Sequence, residues 1–270
     1  MVYIAGKRKA ARNEEKMSEK KYTAFVFDLY GTLVDIRTNE SKPGLWRKLS
    51  ELYSSLGAHY SPTELKKGYF LMVRQVAEKI QAEGVKKYGE SFLGEADLTT
   101  VFQALFHEKN VSCSREQAKS IANFFRMLSR EKLRVYDGVK ETLKRLREMG
   151  KRVLLLSNAQ SDFTRPEIEL LGLTDCFDGI LISSEEGCRK PSPVFFKRLT
   201  EQYGLMPENC LMMGNDVNTD IRGAEAVGMD TFYIHTETSP QLIEKPEATY
   251  SVLDGNWHRA AEILLEAAEL

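Results

Sequence analysis

One short run constrains this chain more than any other: Thr23-Ala-Phe-Val-Phe-Asp28, in which consecutive apolar residues lead into a carboxylate. Without polar alternation, both faces of the segment must be buried. That suits a central strand of a parallel sheet covered on both sides by helices. Similar runs recur at Lys151–Ser157, Ile180–Ser183, Cys210–Met213 and Asp230–Ile234, with helical spacing between them. A helix is expected over Asp137–Met149, ending at Gly150. The helix before Asp230 ends at Gly228, again where glycine takes a left-handed turn. A final helix is expected around Trp257–Ala268. The alternation predicts an α/β fold, a doubly wound parallel Rossmann-like sheet of about five strands. Such sheets bind ligands outside the carboxyl ends of their strands, at the topological switch point.

Between the first strand and the rest lies a different pattern. From about Thr38 to Lys132 the apolar residues fall at helical spacing and no convincing strand is present. Leu45, Leu49, Leu52, Tyr53 and Leu56 form one stripe. Ser61-Pro62-Thr63-Glu64 is a capping box that opens a second helix. Asp97 caps a third, and Ser114 with Gln117 a fourth. The expected division is therefore a polar tail at 1–21, a Rossmann-like core built from 22–37 and 133–270, and an inserted helical domain at 38–132. The tail carries Lys7-Arg8-Lys9, Arg12, Lys16, Lys20 and Lys21 against Glu14, Glu15 and Glu19, and reads as a solvated lead-in. Met17 is an alternative start.

Composition narrows the class. The 270 residues are 42% hydrophobic with a formal net charge of −1, which argues against a nucleic-acid scaffold. No apolar run is long enough for a membrane helix, and no secretory apolar segment opens the chain. Cys113, Cys176, Cys188 and Cys210 form no C-x-x-C pair and suit no zinc site. They read as reduced thiols of a cytoplasmic protein. No partner beyond a small-molecule substrate is expected, neither nucleic acid nor membrane.

If the sheet is parallel, several polar residues meet at one edge. Asp28, Tyr30, Gly31 and Thr32 follow the first strand, and Ser157 and Asn158 the second. Asn215, Asp216 and Asp220 follow the fourth. Lys190 arrives in Arg189-Lys190-Pro191 at the head of a helix. A carboxylate can attack phosphorus or saturated carbon and form an ester that water later cleaves. Several neighbouring carboxylates cannot stay ionised together without a cation. Magnesium answers that need, taking carboxylate, carbonyl and phosphate oxygens. Gly31 permits a sharp turn that brings amides to an anion. Lys190 supplies a point charge against the nucleophile and the transferring group.

Asp28-Leu-Tyr-Gly-Thr-Leu-Val-Asp35 resembles the first signature of the haloacid dehalogenase superfamily. Leu154-Leu-Leu-Ser157-Asn158 resembles the second, Lys190-Pro-Ser-Pro193 the third, and Gly214-Asn-Asp-Val-Asn-Thr-Asp220-Ile-Arg-Gly-Ala224 the fourth. The four stand in the family's order from Tyr22 to about Ile234, and the helical insert lies where the family carries a cap that closes over substrate. The resemblance implies Asp28 as nucleophile and Lys190 as its charge partner. It implies Thr32, Ser157 and Asn158 as contacts to phosphate or carboxylate. Asp216 and Asp220 would hold magnesium with Asp28 and the Tyr30 backbone carbonyl; Asn215 is the alternative to Asp216. The implied activity is magnesium-dependent hydrolysis of a small phosphomonoester.

Tyr30 departs from the pattern. Phosphatases of this superfamily carry an aspartate there, which protonates the leaving alkoxide and then activates water. Tyrosine, with its ordinary pKa of about 10, is a poor acid-base group at neutral pH. Good leaving groups are therefore expected, unless His59 or Tyr60 donates from the cap. Tyrosine at this place is typical of the metal-independent 2-haloacid dehalogenases, whose halide needs no proton. Against that alternative, their motif-three tyrosine is Phe196 here. Only Arg47 or Arg74 stands in for their cap arginine, and the acids Asp216 and Asp220 suit a cation. A weak or non-catalytic ligand-binding member is the third alternative. Asp35 is expected to brace the first loop, and Trp46 and Trp257 to pack.

Overall fold

The structure, a computed structural model, describes residues 22–270. The expected tail at 1–21 lies outside the described residues. Six parallel strands form the main sheet in the order β5-β4-β1-β6-β7-β8. They are β1 (Ala24–Phe27), β4 (Arg152–Ser157), β5 (Gly179–Ile182), β6 (Cys210–Gly214), β7 (Asp230–Ile234) and β8 (Tyr250–Val252). The five expected strands are all present; β8, only three residues long, extends one edge. Chain order runs outward from β1 through β4 to β5, then returns to β6 on its other side, so β1 stands at the switch point.

The strands alternate their buried residues between two faces. Phe25, Phe27, Val153, Leu155, Leu211 and Met213 point to one side. There the helices α5 (Val139–Glu148) and α10 (Trp257–Glu269) add Leu143, Leu146, Trp257 and Leu264. Ala24, Val26, Leu154, Leu156 and Met212 point to the other, against Phe195, Phe196 and Leu199 of α8 (Pro193–Tyr203). Both faces are thus apolar, as the unbroken β1 run requires. Each fully buried Phe side chain contributes about 1.5–3 kcal/mol.

Four helices precede the return to the sheet: α1 (Pro43–Ser55), α2 (Pro62–Tyr88), α3 (Leu98–Glu108) and α4 (Arg115–Ser129). Both capping boxes form. Glu64 N donates to Ser61 Oγ at 3.2 Å while Ser61 N donates back to Glu64 Oε2 at 2.8 Å, and Ser114 and Gln117 repeat the pattern. Asp97 caps α3 through Thr99 N. A separate core of Trp46, Tyr53, Tyr69, Phe102 and Phe125 holds these helices together, and both tryptophans pack as expected.

Two features besides β8 were not expected. Val34–Thr38 (β2) and Arg130–Val135 (β3) pair antiparallel as a two-stranded ribbon at the root of the helical segment. Asp35 lies on it, held by Lys132 Nζ at 2.5 Å and Arg134 Nε at 3.1 Å, so it braces the ribbon. The second is a strap after α2. A Cβ at Gly84 would lie 1.9 Å from the Phe92 ring, so glycine alone lets Phe92 fold back beneath the helix. Phe92 joins the core of the sheet. Next to it, Arg189 N donates to Leu93 O at 3.0 Å and Glu95 N to Gly187 O at 3.2 Å, just ahead of Lys190. Among the described residues no helix is long and apolar enough to cross a membrane.

Candidate active site

The segments after four strands and the loop carrying Lys190 converge on a cleft of about 260 Å³. Asp28 leaves β1 with its own N–H bonded to Met213 O at 2.9 Å, which fixes the carboxylate over the sheet edge. The turn after it needs Gly31. Its φ is +87°, and a Cβ there would come within 2.4 Å of the Asn215 and Thr238 side chains. Thr236 Oγ1 donates to Gly31 O at 2.7 Å, and Trp257 Nε1 to Thr32 O at 2.7 Å. The last helix thereby braces the loop that carries the carboxylate.

Lys190 is buried and makes all three of its hydrogen bonds. Nζ lies 2.7 Å from Asp28 Oδ1, 2.8 Å from Asp220 Oδ1 and 2.7 Å from Leu156 O. Its backbone is held by Asn158, whose Oδ1 accepts from Lys190 N at 2.8 Å while Nδ2 donates to Lys190 O at 3.0 Å. Burial acts to lower the lysine pKa, but the charges of Asp220 and Asp28 outweigh it and the net shift is upward. Asp220 is pushed up to about 6, first by burial and also by the charge of Asp28, against the pull of Lys190. The lysine rises because two carboxylates share its charge, and Asp220 rises because it is buried beside a second carboxylate. Gly214 makes the room: a Cβ there would sit 2.3 Å from the Asp220 carboxyl group.

The remaining expected residues divide. Thr32 Oγ1 reaches Asp28 Oδ2 at 3.0 Å and Asn215 Oδ1 at 3.3 Å. Ser157 Oγ is fully buried at the end of β4, beside the cleft-lining Asn158, and has no hydrogen-bond partner, which costs free energy. Asp216 and Asn215 both border the cleft. Asp216 Oδ1 caps the next turn, accepting from Asn218 N at 2.8 Å. Both Asp220 oxygens are occupied, Oδ1 by Lys190 and Oδ2 by Asp216 N at 3.0 Å.

Among the described residues no three acidic, histidine or cysteine side chains converge as a metal cage. Magnesium needs none, since it takes one or two carboxylates and completes its shell with water and phosphate oxygens. The donors fit that pattern. Asp28 and Asp220 outnumber Lys190, and Asp216 adds a third carboxylate at the rim.

Tyr30 borders the cleft, but its hydroxyl belongs to another cluster. It donates to Glu167 Oε2 at 2.5 Å and lies 3.2 Å from Thr164 Oγ1. Glu167, on α6 (Ser161–Leu170), also takes Arg126 Nε at 2.8 Å and Nη2 at 2.9 Å, and Arg130 Nη1 at 3.0 Å. Burial would raise the Glu167 pKa; Arg126, Tyr30 and Arg130 together hold it below the ordinary value. Burial first, then the Glu167 charge, pushes the Tyr30 phenol upward. The Arg126 guanidinium stacks 5.3 Å from the Tyr30 ring centre.

Sequence reasoning missed this cluster, along with Ile36, Thr219, Thr238 and Pro240 on the cleft wall. Thr238 and Pro240 follow the carboxyl end of β7, so the rule that located the other loops applied to them as well. The other residues weighed from sequence do not line the cleft. Arg47 and Arg74 sit exposed in pairs with Glu51 and Glu78. Tyr60 donates to Leu105 O at 2.6 Å, and Phe196 is buried beneath Gly223.

Known proteins resemble this chain in sequence and fold. Residues 22–228 match the haloacid dehalogenase-like hydrolases. N-acylneuraminate-9-phosphatase of Mus musculus is 27% identical over 239 residues, covering 87% of this chain and 92% of that protein. Ribulose-1,5-bisphosphate 5-phosphatase of Halopiger xanaduensis is 30% identical over 129 residues, covering 45% of this chain and 54% of that protein, so the match spans about half its length. Among solved structures, a 2-haloacid dehalogenase from Pseudomonas syringae pv. Tomato superposes with a TM-score of 0.60 at 17% identity, covering 91% of this chain and 99% of that one. A HAD-hydrolase of Bacillus subtilis gives 0.51 at 19% identity, with 91% and 100% covered. The match over most of its length, joined to the four motifs gathered at one sheet edge, makes this chain a member of the haloacid dehalogenase-like hydrolase family.

Proposed function

We propose that the chain is a magnesium-assisted hydrolase of a small phosphomonoester, acting through an aspartyl phosphate on Asp28. The observation that carries this reading is the buried triad in which Lys190 Nζ bridges Asp28 and Asp220 at 2.7 and 2.8 Å. A carboxylate fixed at a strand end beside a fully coordinated lysine is arranged to receive an anionic group. The phosphatase names of the relatives support the phosphorylated substrate. Thr32 and the unpartnered Ser157 hydroxyl then donate to the phosphoryl oxygens, and Asn158 keeps Lys190 in position. Magnesium would be held by Asp28, the Tyr30 backbone carbonyl and Asp216 or Asn215, with Asp220 acting through its charge; bound there, it would neutralise the phosphoryl oxygens. The helical segment 38–132 is the cap over the substrate. Cys113, Cys176, Cys188 and Cys210 are unpaired, which supports a cytoplasmic setting.

Asp28 attacks phosphorus, the leaving group departs, and water cleaves the acyl phosphate to restore the carboxylate. A panel of phosphorylated metabolites assayed with and without magnesium tests this. Turnover that stops on adding EDTA supports the reading; metal-independent release of halide from 2-haloacids contradicts it. The dehalogenase alternative draws on one observation, the Tyr30 hydroxyl held by Glu167, because a halide needs no proton. Magnesium binding without turnover of either class would point to a non-catalytic member.

A further inference from the structure

The polar hydrogens around the cleft limit what kind of leaving group this site can release, an inference that rests on the phosphatase reading above. Tyr30 stands two residues past the nucleophile, yet its one hydroxyl hydrogen points to Glu167 Oε2 at 2.5 Å. Bidentate Arg126 and Arg130 fix that carboxylate on its other sides. The Tyr30 hydrogen is therefore directed away from the nucleophile and into a satisfied ion cluster. The other donors are engaged as well, save the buried Ser157 hydroxyl, which has no partner but, as an aliphatic alcohol, is too weak an acid to protonate a leaving group near neutral pH. Lys190 Nζ serves Asp28, Asp220 and Leu156 O. Thr32 Oγ1 has one hydrogen, and both acceptors within its reach, Asp28 Oδ2 and Asn215 Oδ1, belong to the site itself. Asn158 Nδ2 holds Lys190 O. These groups can stabilise charge on a phosphoryl group, but none stands ready to hand a proton to a departing oxygen.

We infer that the site acts on phosphates whose leaving group departs as a stable anion, such as an acyl phosphate or the phosphate of an acidic phenol, rather than on phosphates of simple alcohols. The atoms balance without an acid. Asp28 forms a bond to phosphorus as the phosphorus–oxygen bond to the leaving group breaks, and the carboxylate or phenolate leaves with the electron pair. Water then attacks phosphorus and passes its proton to a phosphate oxygen. The Asp28 carboxylate departs from phosphorus, again as a stable anion, and dihydrogen phosphate is released.

The test compares acetyl phosphate, 4-nitrophenyl phosphate and glycerol phosphate on the full chain with magnesium. A positioned acid contributes about 10²–10⁴-fold, so glycerol phosphate should trail the other two in kcat/KM by more than the same ratio in a family phosphatase with aspartate at the Tyr30 position, by roughly that factor. Tyr30→Phe should lower all three rates together and leave their ratio unchanged, because the hydroxyl takes no part in proton transfer. Glycerol phosphate hydrolysed as fast as acetyl phosphate, or a Tyr30→Phe variant that loses glycerol phosphate alone, overturns the inference and leaves the phosphatase reading standing. Turnover of none of the three phosphates overturns both.

Discussion

Two buried ion clusters flank the Asp28 loop, and they are built on opposite plans. On one side a single lysine serves two carboxylates, Asp28 and Asp220. On the other a single carboxylate, Glu167, serves two arginines and a phenol. Glu167 has both oxygens occupied and gains from them, so its pKa falls. The Lys190 cluster has more negative charge than its one cation balances, and Asp220 rises, first through burial and then through the charge of Asp28. A satisfied cluster fixes geometry, whereas an unbalanced one that opens on a cleft favours a cation. The Glu167 cluster ties together the Asp28 loop, α6 and the end of α4; the Lys190 cluster is the one the proposed chemistry would use.

That contrast can be broken one residue at a time. The largest effect is expected from Asp28→Asn, which should reduce turnover by at least about 10⁴-fold, the scale on which essential catalytic groups act, with the circular dichroism spectrum unchanged. Lys190→Met should abolish turnover as well and leave two buried carboxylates without a cation. Urea titration should then show a loss of about 3–5 kcal/mol, partly recovered by magnesium. Glu167→Gln should reverse the ranking. Its stability loss should be of similar size, about 3–5 kcal/mol, because Arg126 and Arg130 keep their charges, while kcat falls far less than in Asp28→Asn.

The two sides should also differ in the sign of their pH response. Glu167 is depressed in the folded state, so its contribution is present above the unfolded carboxylate pKa of about 4.3 and is lost as the pH falls further. Wild type and Glu167→Gln should therefore converge in stability in acid. Asp220 is raised to about 6, so in chelator its ionisation costs stability as the pH climbs past the unfolded pKa of about 3.9. Asp220→Asn should gain on wild type over that rise. The smallest effect is expected from Arg74→Ala. Arg74 is exposed beside Glu78 and should change neither the melting temperature nor turnover.

The convergence of the Lys190 side was readable in sequence and the Glu167 side was not, for physical reasons. Asp28, Ser157 and Asp216 announce themselves because unbroken apolar strands end in polar groups, and parallel topology brings such ends together. The capping boxes at Ser61 and Ser114 were legible because they are local. Arg126 and Glu167 lie 41 positions apart on ordinary amphipathic helices, and nothing local marks either as buried. The β2–β3 ribbon is polar and joins segments nearly a hundred residues apart, such as Asp35 and Arg134. The three residues of β8 are too few to show a period. Asp220 was legible as a site residue, but its role was not. Only the structure places both of its oxygens on Lys190 and the Asp216 amide.

The central claim is that Asp28 itself becomes the covalent carrier. The most direct measurement is acid quench during steady-state turnover, followed by borohydride reduction and peptide mass mapping. The account requires that the peptide spanning Tyr22–Thr32 carry the reduced aspartyl residue at Asp28, and that it vanish when substrate is omitted. Active enzyme whose Asp28 stays unmodified through turnover, or a reduced residue at any other carboxylate, would contradict it.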